Sequence, residues 1–268
     1  MEQTGQSIAN QWSYGIEWAD IKIGMDKARY HQGDSISCEL YLKGNGKRRS
    51  VNVFKIMLEA TKVRTASNGY ATAAGRRYFE TIEINTYVDL ELPDSLLLPF
   101  TLQLPENVSF TDPTLCWSIS VDFKNASGST ESVTRHFVVL PKKVFMDILK
   151  VVESRLGFSE NLHVRHWIED SQKTRFFLEP SKRFKNLLDF IQLEIRENPN
   201  GDVEGEFEFD LQERTISDYV EAILGRDKVH LPFILKSKEL YDSSGCINSD
   251  AVAAYFEAQI DKALALRK

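Results

Sequence analysis

The sequence predicts a mainly β protein: an antiparallel β-sandwich over residues 1–141, then a second β-rich domain with accessory helices over residues 142–268. Three observations support this prediction. The length of 268 residues suits two domains of ordinary size. Short segments of alternating apolar and polar residues fill the first half, which has no helical pattern. A helical pattern begins directly after Pro141, and strands and helices are mixed beyond it.

The strands of the first half are predicted from alternation. Apolar residues occupy the even positions of residues 35–42. The pair Asn45-Gly46 follows, and because this pair tolerates the positive φ of a tight turn, we expect a β-hairpin to residues 51–60. Residues 64–77 are small, polar and glycine-bearing, which is typical of a mobile loop. Further strands are expected at residues 82–92, 117–123 and 135–140.

The second half begins with a linking helix. The apolar residues of 142–156 recur at helical spacing, and Gly157 marks the end of the helix. Two alternating segments, 187–196 and 203–211, flank a loop with Asn200-Gly201 at its tip. They predict a second hairpin.

Two more helices are expected near the C-terminal end. Residues 216–224 carry an apolar stripe that ends before Gly225. The last helix is expected to begin near Ser249, whose hydroxyl suits the N-cap position.

Motifs that carry chemistry are missing from the sequence. His163 and His166 are three residues apart in a segment, 162–168, that has the pattern of a strand. On a strand this offset puts the two rings on opposite faces, whereas on a helix they would converge on a metal ion. No cysteine is in a recognisable Cys–His setting and no nucleophile motif is present. We therefore expect a protein that is not an enzyme, with no catalytic, cofactor-binding or metal-binding residues; an enzyme with a noncontiguous site is the alternative.

Charge is distributed unevenly along the chain. The totals, 33 Lys and Arg against 39 Asp and Glu, give a net charge of −6, which argues against a nucleic-acid or membrane-surface binder. Residues 40–79 nevertheless hold nine basic residues and one acidic residue, and residues 194–221 hold ten acidic and two basic ones. The candidate partner-binding residues come from these two segments: Lys47, Arg48, Arg49, Arg76, Arg77, Glu204, Glu206, Glu208 and Asp210.

Three interpretations of this charge pattern stay open. The basic residues form a patch for an acidic partner or phosphate, or the two segments attract each other across a domain or dimer interface. Alternatively, both are solvated surfaces that keep the protein soluble.

The expected compartment is the cytoplasm. The first 20 residues lack the basic and apolar regions of a signal peptide, and no apolar run is long enough to span a membrane. The three cysteines, Cys38, Cys116 and Cys246, are odd in number and widely spaced, which favours reduced thiols over disulfides.

Several segments resemble a known family. The segment KARYHQGDSISCELYL, residues 27–42, resembles the opening of arrestin-like sandwiches, with Gly33 and Asp34 in the turn and Gln32 where proline is usual. The segment LPFTLQLPEN, residues 98–107, matches the Pro-Phe-x-x-x-Leu-Pro run of such domains. Residues 117–140 and the helix after them resemble the bacterial sporulation-control protein family.

The resemblance implies an arrestin-like N-terminal sandwich and a function without catalysis. It implies a cytoplasmic scaffold or adaptor that regulates cell physiology or development by binding other proteins, and it carries over no catalytic or cofactor residues. The alternative is a self-assembling structural protein in which the basic and acidic faces of two copies pair.

Overall fold

The computed structural model describes residues 12–16, 19–44, 49–65, 71–84, 88–90, 95–112, 114–125, 129–162, 165–212 and 228–266. The chain divides into two compact units, Met1–Leu140 and Pro141–Lys268. Strands in antiparallel sheets dominate both units and helices are few, so the predicted mainly β fold class is confirmed.

Two sheets build the first unit. Its described strands are β1 (Trp12–Ile16), β2 (Ala19–Met25), β3 (Arg29–His31), β4 (Ser35–Gly44), β5 (Arg49–Thr65), β6 (Ala71–Ile84), β7 (Val88–Leu90), β8 (Ser95–Gln103), β9 (Leu115–Asn125) and β10 (Thr130–Leu140). One sheet has the order β1-β2-β4-β8, and the other has the order β3-β10-β9-β5-β6, with β7 paired to β5. Described neighbours are antiparallel except β3 and β10, which run parallel.

Alternation along the strands places the core of this sandwich. On β4 the even-numbered residues are buried, as predicted. On β9, Trp117 and Ile119 are fully buried. The guanidinium of Arg135 on β10 donates to the carbonyl oxygen of Ile23 on β2, in the other sheet. The two sheets therefore enclose one core between them.

The predicted hairpin between β4 and β5 is wrong. β4 pairs with β2 and β8, whereas β5 pairs with β6, β7 and β9, so the two strands lie in different sheets. Asn45 and Gly46 themselves lie outside the described residues. A turn signal does not tell which strands pair, because pairing depends on where the apolar faces are buried.

The predicted loop at residues 64–77 is wrong in its described part. β5 extends to Thr65, β6 begins at Ala71, and the two strands pair from Thr65↔Ala71 to Phe54↔Ile84. The backbone hydrogen bonds of this long ladder outweigh the weak strand preference of alanine and glycine. The predicted strand at 82–92 is divided between the end of β6 and β7.

A sheet of six described strands, together with helices, builds the second unit. Its described elements are α1 (Lys143–Val151), a π-helical turn (Val152–Leu156), β11 (Ser159–Glu160), β12 (His166–Ile168), β13 (Lys173–Glu179), β14 (Leu188–Glu197), β15 (Val203–Leu211), β16 (Lys228–Leu235), α2 (Ser237–Leu240) and α3 (Ser249–Leu266). The strand order is β11-β13-β14-β15-β16, with β12 paired to β13.

The core of the second unit is shared by α1, the sheet and α3. The ring centroids of Phe207 on β15 and Phe256 on α3 lie 5.0 Å apart, in an edge-to-face arrangement. The predicted linking helix is present, and Gly157 ends it with a φ of 72°. Glycine adopts this left-handed conformation at little cost in free energy because it has no Cβ atom, which explains why the helix ends there.

The predicted hairpin at Asn200-Gly201 is confirmed as β14 and β15. Asn198 Oδ1 accepts hydrogen bonds from the backbone N–H groups of Asn200 at 2.9 Å and Asp202 at 3.1 Å. Gly201 has a φ of 76°. The predicted helix at residues 216–224 lies outside the described residues.

The final helix is confirmed, but its predicted N-cap is displaced by one residue. Asn248 Oδ1 accepts a hydrogen bond from the backbone N–H of Ala251 at 3.2 Å, which is the N-cap contact. Ser249 is already the first helical residue. Both residue types suit the position, so the sequence pattern does not separate them.

Candidate functional site

The predicted basic residues lie on or before two strands of the first unit. Lys47 and Arg48 lie outside the described residues. Arg49 begins β5, and Arg76 and Arg77 lie in β6, opposite Thr61 and Ala60. Adjacent positions of a strand alternate between its faces, so positions 76 and 77 lie on opposite faces of the sheet.

The predicted acidic residues share one face of β15. Glu204, Glu206, Glu208 and Asp210 alternate with residues that are at most 2% exposed: Val203, Phe207, Phe209 and Leu211. The acidic side chains therefore lie on the face away from the core.

Bases from neighbouring strands pair with this acidic row. Arg196 Nη2 on β14 lies 2.6 Å from Glu204 Oε1. His230 Nδ1 on β16 lies 2.8 Å from Glu206 Oε1. Lys228 on β16 forms an ion pair with Glu208.

A further acid completes the arrangement on β14. Glu194 lies directly opposite Glu206, and like charges at this position repel each other. Arg175 on β13 compensates with an ion pair of 2.5 Å to Glu194, and Lys173 Nζ lies 3.6 Å from the same carboxylate. We call this face of β13 to β16, with eight charged residues and one histidine, the ionic lattice: Lys173, Arg175, Glu194, Arg196, Glu204, Glu206, Glu208, Lys228 and His230.

The lattice changes the meaning of the predicted acidic surface. The acidic row is largely neutralised rather than bare, and the Glu208 side chain is only 14% exposed. Sequence reasoning missed Lys173, Arg175 and Lys228, because only strand pairing brings the first two to Glu194 and the third to Glu208. For Lys173 and Arg175, the local signal was the alternation of polar and apolar residues within β13, beside the predicted hairpin.

Two concave regions lie in the second unit. A groove of about 630 Å³ runs between α1 and residues 241–249, and its lining includes Lys143, Asp147 and Tyr241. Burial raises the pKa of the Tyr241 hydroxyl. A cavity of about 470 Å³ lies beside Phe177 and Phe190 at one end of the ionic lattice.

A buried polar cluster that sequence reasoning missed lies on β5 and β9 of the first unit. Glu59 is 2% exposed, and its Oε1 accepts hydrogen bonds from Ser120 Oγ at 2.7 Å and Ser118 Oγ at 3.2 Å. Close by, Cys116 Sγ lies 3.2 Å from His136 Nδ1. The sequence shows no recognisable Cys–His setting around this cysteine, because antiparallel pairing joins residues that are 20 positions apart.

Metal-ligating side chains do not cluster in the described part of the chain: no three Cys, His, Asp or Glu residues there could hold one ion. His166 lies on β12, and His163 lies outside the described residues. Cys38, Cys116 and Cys246 are all free thiols. None of the described helices is both long and apolar enough to cross a membrane.

These features define a two-unit, mainly β protein with an ionic lattice among the described polar surfaces of its second unit. No protein-family model matches the sequence, and no curated protein matches it. Among solved structures, the chain is similar to Spo0M, sporulation control protein, from Bacillus subtilis. The TM-score is 0.59 at 17% sequence identity, over 92% of this chain and 99% of that chain. The chain thus has a Spo0M-like fold, and the resemblance to sporulation-control proteins is supported at the level of fold.

Proposed function

We propose that this protein is a cytoplasmic scaffold or adaptor without enzymatic activity, which regulates cell physiology or development by binding other proteins. The observation that carries the proposal is the Spo0M-like fold, which spans 92% of the chain, because the similar protein is described as a sporulation control protein. The three free thiols support a reducing compartment.

Three of the outermost described strands are poor candidates for partner binding. β8 and β16 are outermost among the described strands of their sheets, and each contains a proline, Pro99 or Pro232. The outermost β6 is interrupted by two register shifts against β5. Prolines and bulges both prevent an added strand from pairing along an edge, so a face is the better docking surface.

The ionic lattice is the face that we assign to partner binding. Its ion pairs hold long side chains in place before a partner arrives, which lowers the entropy lost on binding. Charge pairs at an interface select partners by complementarity and fix their register. A partner with its own alternating charges would match this face.

Charge reversal tests the assignment. In the full chain, Glu204, Glu206 and Glu208 are changed together to lysine, and partners are captured from a lysate of the source organism and quantified by mass spectrometry. The expected result is loss of the proteins that the unchanged chain enriches. Asp170, Glu239 and Asp261, which are exposed acids outside the lattice, are changed to lysine in the matched control. Equal capture by all three proteins would refute the assignment.

A self-assembling protein is the second candidate, and the separation of basic from acidic segments favours it. In this case the residues around Arg48 and Arg49 pair with the acidic strand of another copy. Light scattering at low and high salt should then show an oligomer that dissociates as salt screens the charges. A monomer at every salt concentration would end this candidate.

A further inference from the structure

Cys116 and His136 form a donor pair on the face of the sheet β3-β10-β9-β5-β6 that is opposite Trp117 and Phe137. The register of β9 and β10 places His136 opposite Ser118, so that Cys116 is its diagonal neighbour. The adjacent residues Trp117 and Phe137 are buried in the core, whereas Cys116 is half-buried and His136 is exposed. The thiol and the imidazole therefore meet where a dissolved ion can reach them.

The backbone holds this pair in place. Cys116 on β9 is paired with Thr61 on β5, and His136 on β10 is paired with Ser118 on β9. Side chains on interior strands approach each other without backbone movement. Donors that are positioned before the ligand arrives lose little entropy on binding.

The two donors suit a thiophilic metal ion. Thiolate sulfur and imidazole nitrogen are ligands of zinc and copper(I) in proteins. Metal–sulfur and metal–nitrogen bonds of about 2.3 and 2.0 Å at a tetrahedral angle place the two donors about 3.5 Å apart. The observed Sγ–Nδ1 distance is 3.2 Å, so a small change in one side-chain torsion accommodates the ion.

We propose that Cys116 Sγ and His136 Nδ1 bind a thiophilic metal ion, with water in its other coordination positions. Binding replaces the contact between thiol and imidazole with a bond from each donor to the ion, and the thiol proton passes to solvent. Because the thiolate is the form of cysteine that binds metal ions, a protonated thiol gives up its proton on binding. The site has two protein donors, in keeping with the finding that no three-residue cluster exists among the described residues.

Cadmium titration of the full chain tests the proposal. Cys246→Ser first removes the exposed thiol, and Cd²⁺ is then added while the sulfur-to-cadmium charge-transfer absorption is recorded. We expect a band that saturates at one ion per chain. Adding Cys116→Ser should abolish the band, and adding His136→Gln should weaken binding by about tenfold or more. His230→Gln, which changes an exposed histidine of the second unit, is the matched control and should leave the titration unchanged.

Alkylation gives a second readout that does not depend on the variants. Saturating Cd²⁺ should slow the reaction of Cys116 with iodoacetamide, followed at this residue by mass spectrometry. The proposal is overturned by a band that survives Cys116→Ser, by an affinity that His136→Gln leaves unchanged, or by an absent band in the Cys246→Ser protein. Equal alkylation rates with and without Cd²⁺ overturn it as well.

Discussion

Gln32 occupies the turn between β3 and β4, where arrestin-like sandwiches usually have proline. Its side chain is 5% exposed, and its amide donates to the carbonyl oxygen of Val108. Its backbone N–H donates to the carbonyl oxygen of Leu140 at 3.1 Å. The following Gly33 has a φ of 87°, and Gln103 Nε2 donates to its carbonyl oxygen at 2.8 Å. Hydrogen bonds therefore hold this turn in place of a pyrrolidine ring.

Gln32→Pro is expected to destabilise the first unit by about 2–4 kcal/mol, because proline removes both the amide and the backbone donor. Gln32→Ala keeps the backbone donor and should cost about 1–3 kcal/mol. Chemical denaturation of the full chain, followed by tryptophan fluorescence, measures both. A proline variant as stable as the unchanged protein would show that these donors contribute little.

Cys38 is a buried thiol in the sandwich core, and burial raises its pKa from 9.0 to about 12. The unfolded chain therefore loses this proton first as pH rises. The stability that the protonated thiol contributes is complete below pH 9.0 and declines between pH 9.0 and about 12.

We expect Cys38 in the folded protein to resist alkylation at pH 9, whereas the exposed Cys246 reacts. Mass spectrometry after timed treatment with iodoacetamide reads both residues in one sample. Denaturation midpoints at pH 8 and pH 10 should also fall with pH. Alkylation of both thiols at equal rates would contradict the burial of Cys38.

At the scale of elements, β15 contributes to both the core and the ionic lattice, and Gly205 lies in its interior. A Cβ atom at Gly205 would come within 1.8 Å of the backbone oxygen of Glu194 on β14. The obstructing atom belongs to the backbone of β14, so rotation of a side chain cannot relieve the clash. Close approach of the two backbones thus requires glycine at this position.

Gly205→Ala is expected to cost about 3 kcal/mol, because the alanine methyl group forces β14 and β15 apart. Gly245→Ala is the control: nothing lies within 4 Å of a Cβ there, and its φ of 78° should cost about 1–2 kcal/mol. Thermal unfolding, monitored by circular dichroism, compares the stabilities of the two variants. Equal losses would mean that the ladder adjusts to the added methyl group.

The start of α3 allows a test of the corrected N-cap. Asn248→Ala should cost about 1 kcal/mol because it removes the acceptor for the Ala251 N–H. Ser249→Ala, at the first helical position, should change the free energy of unfolding by about 0.5 kcal/mol or less. Urea denaturation measures both variants. A larger loss of stability for Ser249→Ala than for Asn248→Ala would identify Ser249 as the N-cap.

At the scale of the whole molecule, the second unit has a core of its own. Every residue of this core lies between Val144 and Ala263, and α1 contributes Phe145, Ile148 and Leu149. A set of apolar side chains that is complete within one stretch of chain supports independent folding.

Residues 141–268 expressed alone are therefore expected to fold and to unfold cooperatively on heating. Residues 158–268, which lack α1 and the π-helical turn, should not do so, because their sheet loses the helix that covers it. Circular dichroism and dispersed amide NMR signals measure the difference. An unfolded 141–268 fragment would show that this unit needs the first one.

Sequence reasoning could predict the local elements of the fold, such as hairpins and helix ends. The hairpin of β14 and β15 followed from Asn200-Gly201 between alternating segments, and the stop of the linking helix followed from Gly157. The candidate site was predicted in part: the acidic row on β15 was found, but not the bases on β16 that pair with it, nor the bases on β13 that pair with Glu194. Those bases become neighbours only when the strands are assembled.

The sequence by itself determined which residues alternate, where helices replace strands, and which side chains could be buried, because periodicity and turn preferences act over a few residues. Only the tertiary structure decided that β4 and β5 lie in different sheets, that Arg175 and Lys173 neutralise Glu194, and that Cys116 meets His136. These contacts join residues far apart in the chain. Their physical cause is the burial of apolar faces, which selects strand partners for the whole sheet rather than for neighbouring residues.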